Sequence, residues 1–105
     1  MTGGGGGVPR PPRDGSDCAK LHEQTTLNSV DPRVLATISK DDVLTVHAET
    51  PRGPLLALTR GGAIVGSITS ASLAKFLDCI ENGFEYVAIV QSVKGGQVIV
   101  VVRPK

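Results

Sequence analysis

Two runs of β-branched residues flank a glycine pair near the C-terminal end of this chain, FEYVAIVQSV and QVIVVVRP about Lys94-Gly95-Gly96, and they leave little choice of fold. Stiff branched side chains fit a pleated surface better than a helix. The apolar residues around Val87–Val90 and Val98–Val102 occupy both alternating positions, which marks strands covered on two faces. The Gly-Gly pair supplies the turn of an antiparallel hairpin. These two strands are therefore expected at the centre of a sheet, and the other elements have to be arranged around them.

Upstream, DDVLTVHAET alternates, with Leu44, Val46 and Ala48 on one face and Val43, Thr45 and His47 on the other. PRGP interrupts this strand, LLALT resumes it, and Arg60-Gly61-Gly62 separates LLALT from AIVGSI as a second hairpin. CAKLHEQTTL reads as an edge strand. In SVDPRVLATI, Pro32 sits at a first helical position and Val34, Leu35 and Ile38 keep helical spacing, so one or two helical turns are expected. Leu73, Phe76, Leu77 and Ile80 recur at i, i+3, i+4 and i+7, opposite Lys75, Asp78 and Glu81, which predicts an amphipathic helix. Thr69 or Ser70 is its expected N-cap and Gly83 its left-handed C-terminal cap.

With tight connections throughout and one long helix, the expected architecture is α+β but mainly β. It is a small, partly open antiparallel SH3-like barrel of five to six strands, with one covering α-helix and a short helical turn. Gly66, in mid-strand ahead of the helix, marks a kink or a close approach of backbones. Residues 1–16, MTGGGGGVPRPPRDGS, hold a five-glycine run and three prolines, and read as a disordered solubilising tail on a single domain of residues 17–105.

Composition narrows the function. Residues 17–105 carry nine Lys or Arg and nine Asp or Glu, so the domain lacks the cationic excess from which nucleic-acid binders draw affinity. Aromatic residues make up 3% of the chain, with one Tyr and no Trp on which a base would stack. No apolar run approaches the ~20 residues of a membrane span, and the sequence reads as soluble and cytoplasmic, with no membrane partner. Cys18 and Cys79 lack C-x-x-C spacing and read as two buried thiols.

His22 and His47 have no paired ligand a few residues away, so no metal and no cofactor is expected. The acidic neighbours Asp78 and Glu81 would raise the Cys79 thiol pKa rather than activate it, no Ser occupies a G-x-S-x-G turn, and Asp41-Asp42 reads as a solvated turn. An enzyme is not expected. The candidate binding residues are the loop-tip cations Arg52, Arg60 and Lys94, and the hydroxyls Thr69 and Ser70 at the helix N-terminus, where backbone N–H groups favour an anion.

GGAIVGSITSASLAKFLDCIENG and the strand after it resemble the second half of HIRAN domains, small barrels appended to some helicases and also found alone in bacteria. Val65-Gly66, Leu73, Phe76, Leu77, Ile80 and Gly83 carry the match, within residues 55 to 102. The resemblance implies a small barrel that binds single-stranded DNA. The family holds a DNA end with an Asn/Asp-rich segment and aromatic residues in its first half, where this chain has AETPRGPLLALTRGG. Two functions are carried forward: a non-catalytic interaction or accessory module that binds another protein through a strand edge or the helix-side surface, and a HIRAN-like nucleic-acid module.

Overall fold

The computed structural model describes residues 15–105. Its elements are α1 (Gly15–Lys20), β1 (Glu23–Asn28), α2 (Pro32–Leu35), β2 (Val43–Ala48), β3 (Leu55–Leu58), β4 (Ile64–Ile68), α3 (Leu73–Glu81), β5 (Tyr86–Lys94) and β6 (Gln97–Pro104). Six antiparallel strands close into a barrel in the order β1-β4-β3-β2-β5-β6. The barrel is a full ring rather than a partly open one, because β1 pairs with β6 through Glu23–Thr26 and with β4 through Leu27 and Asn28.

Two bulges help to bend the strands round. Between β3 and β4 the register steps from Ala57↔Gly66 to Leu58↔Ile64, leaving Val65 as the extra residue; between β5 and β6 it steps from Val90↔Val100 to Ser92↔Ile99, leaving Gln91. An unmatched residue on one strand increases local twist and bends it, as closure requires. Gly66, beside the first bulge, is the close approach that its place in the sequence implied. A Cβ there would lie 2.8 Å from the Asn28 carbonyl oxygen.

Inward positions of all six strands build the core: Leu27, Leu44, Leu55, Ala57, Val65, Ile68, Ala88, Val90, Val98, Val100 and Val102. Helix α3 closes one end with Phe76 and Leu77, and Phe76 meets Tyr86 edge to face at 5.1 Å. Its C-terminus is a Schellman motif, with Gly83 at φ +96°, Gly83 N donating to Ile80 O and Phe84 N donating to Cys79 O. The N-cap is Ser72, not Thr69 or Ser70, because residues 70–73 make a further turn, with Leu73 N donating to Ser70 O at 3.1 Å, as the helix begins. Helix α2 starts as expected, Asp31 capping it by accepting from Arg33 N.

The N-terminal segment differs from expectation. Cys18 to Lys20 are helical and the strand begins only at Glu23; α1 carries Asp17 in its first turn and Lys20 in its last, which suits the helix dipole. The expected tail falls largely on residues 1–14, which lie outside the described residues, while Gly15 and Ser16 open α1. Cys18 and Cys79 are buried, but as a disulfide and not as two thiols, with Cα atoms 5.7 Å apart across a sequence separation of 61. Among the described residues no helix is long and apolar enough to cross a membrane.

Candidate functional site

Strand register sorts the candidate residues between the two barrel ends. Ala48↔Leu55 and Leu55↔Ile68 lie toward the end where α3 begins, and Thr45↔Leu58 and Leu58↔Ile64 toward the other. Arg52, Thr69 and Ser70 therefore belong to the α3 end, whereas Arg60 and Lys94 belong to the opposite one. No single surface unites the five.

At the α3 end the expected groups are already engaged. Asn28 Nδ2 donates to Thr69 Oγ1, and Ser70 Oγ accepts from Ser72 N at 3.2 Å. These hydroxyls hold the turn into α3. The Arg52 loop is knitted by Thr50, whose Oγ1 donates to Gly53 O at 2.7 Å and accepts from Arg52 N at 3.1 Å.

Arg60 faces a different setting. It rides the β3–β4 turn, fastened by Thr59 N donating to Ala63 O at 2.8 Å and by Ala63 N donating to Thr59 Oγ1 at 3.1 Å. That turn and α2 form the two walls of an open cleft of about 760 Å³, whose base is the start of β2. The volume is within the usual range for ligand sites, roughly 300–1,000 Å³. Val34, Ile38, Val43 and Leu44 supply its apolar lining, and Asp31, Arg33, Asp42 and Arg60 its polar rim.

Val43 is 52% exposed and Ile64 49%, the two large apolar side chains that the strands leave open among the described residues. In register with Val43 across β5 and β6 stand Ile89 and Val101, both half-buried, so that the apolar lining continues onto the outer face of the barrel.

The rim charges are not equivalent. Arg33 pairs with Asp31 at 3.4 Å, and the Arg33 backbone N–H followed by its guanidinium hold the Asp31 carboxyl below the usual range. Asp42 Oδ2 accepts from Ser39 N at 2.9 Å. Among the described residues no carboxylate pairs with Arg60. The cleft thus offers an apolar floor with the Arg60 guanidinium and the Asp42 carboxylate at its edge, neither in an ion pair among the described residues, an arrangement suited to holding a segment with a charged group beside an apolar one.

Sequence reasoning found Arg60 as a loop-tip cation but not the cleft, whose second wall is α2. The strand alternation placed Val43 on the face opposite Leu44, without saying which face would be open.

No family model, no curated protein and no solved structure matches this chain.

Proposed function

We propose that this chain is a non-catalytic interaction module that binds an extended segment of another protein in the cleft between α2 and the β3–β4 turn. The observation that carries the reading is the half-exposed Val43 at the base of that cleft, next to an Arg60 that no carboxylate of the described residues neutralises. Apolar area lost from water supplies affinity, and a charge at the rim supplies orientation. Closure of the barrel narrows the route by strand addition, since each strand has a neighbour on both sides. In this reading the module works in the cytoplasm, where a disulfide is usually transient and not permanent.

Selection of a random peptide library on the whole protein tests the reading. Selected peptides should carry an acidic residue near an apolar one, shift the amide resonances of Val34, Val43 and Arg60, and bind at least about tenfold more weakly to Val43→Asp, a loss of roughly 1.4 kcal/mol. Peptides that instead shift residues of the α3 end, or a library that yields no binder, would overturn it.

A further inference from the structure

The Cys18–Cys79 bridge joins two elements that the strand ladders do not hold together. Helix α1 has six residues, too few to persist alone. Besides the bridge, Tyr86 Oη donates to Cys18 O at 2.5 Å, which ties α1 to the first residue of β5. Both cysteines are buried, and Cys79 also lines a recess of about 230 Å³ between α1 and α3, with Asp17, Lys20, Leu21 and Lys75 as its other walls.

We propose that this bridge is a reducible latch on α1, opened by a small anionic thiol that enters the recess and attacks Cys79 Sγ. The Lys20 and Lys75 ammonium groups draw in a thiol bearing carboxylates and stabilise the attacking thiolate. In the first step a new S–S bond forms between the incoming thiol and Cys79, the Cys18–Cys79 bond breaks, and Cys18 leaves as a thiolate that takes a proton from water. A second molecule of the small thiol then attacks the sulfur of the first. It releases Cys79, which is protonated in turn, and departs with the first as the oxidised small disulfide. Two electrons pass from the two small thiols to the protein bridge.

Opening the latch leaves the six-stranded ring intact, because neither cysteine belongs to a strand. It removes the covalent tie of α1, takes the acceptor from the Tyr86 hydroxyl, and uncovers the Phe76–Tyr86 end of the core. The inference does not depend on the ligand assigned to the cleft at the other end.

Tyr86 is the only tyrosine and the chain has no tryptophan, so tyrosine emission and absorbance report on this junction alone. The native protein is incubated with glutathione, and thiols are counted with a maleimide while tyrosine emission and the far-ultraviolet dichroism of the strands are followed. Expected are two labelled thiols, increased tyrosine emission and unchanged strand dichroism. Lys20→Glu combined with Lys75→Glu should slow reduction by glutathione about tenfold while leaving reduction by the uncharged 2-mercaptoethanol unaltered. The latch is refuted if the thiols become reactive only in denaturant, or if reduction abolishes the strand signal. Equal slowing with both reductants, or with neither, would remove the anionic-thiol site.

Discussion

Gly66 shows how far one side chain can govern closure of the ring. The ideal Cβ position there lies 2.8 Å from Asn28 O, 3.2 Å from Leu27 Cβ and 3.4 Å from Val30 Cγ2, and the first of these belongs to backbone that cannot swing aside. Gly66→Ala should therefore push β1 away from β4 and cost roughly 1–3 kcal/mol, read from the urea midpoint. Tyr86 makes a different contribution. Burial raises its pKa above 10.0, so the folded protein holds the phenolic proton more tightly than the unfolded chain does. That stability is complete below the unfolded value and is lost as the pH rises through the folded one. Urea midpoints should fall above pH 10, and Tyr86→Phe should remove this part of the fall. The same substitution strands the Cys18 carbonyl oxygen and should cost about 1–3 kcal/mol at neutral pH.

Among the elements, α3 was the most legible. Leu73, Phe76, Leu77 and Ile80 at helical spacing marked its buried face, and Gly83 marked its end, while its start falls after Ser72 and not at the expected Thr69 or Ser70. Phe76→Ala or Leu77→Ala should cost roughly 2–5 kcal/mol, because each empties space in a core that the strands cannot refill. Both hairpins were legible too, since Gly62, Gly95 and Gly96 take the positive φ that their turns demand. Helix α1 was not, because six residues are too few to show a period, and its position is set by a bridge to a residue 61 places later in the chain. The bulge at Val65 showed only as the mid-strand Gly66 beside it, and the one at Gln91 escaped, because a bulge is defined by the partner strand. Of the candidate site, the Arg60 turn was legible as a loop-tip cation, but the wall formed by α2 depends on how Asp31 N meets Val65 O at 3.0 Å.

For the molecule as a whole, charge balance weighs against nucleic acid. Nine cationic and nine acidic side chains across residues 17–105 leave little to exchange for phosphate counterions, and the ring places Arg52 and Arg60 at opposite ends of β3. Short single-stranded DNA should bind no tighter than about 10⁻⁴ M at physiological salt, measured by fluorescence anisotropy. Micromolar binding would favour the HIRAN-like alternative, and single substitutions of Arg52, Arg60 and Lys94 would then show which cation lowers the salt slope. The ring also has one weak seam. β1 and β4 share two residue pairs, Leu27↔Ile68 and Asn28↔Ser67, whereas β5 and β6 share eight. A closed circle with one short joint opens at that joint, so the amides flanking the seam should exchange with deuterium long before those of β5 and β6, whose exchange waits for global unfolding. The barrel is then a ribbon wound about the β5–β6 hairpin whose last clasp undoes most often.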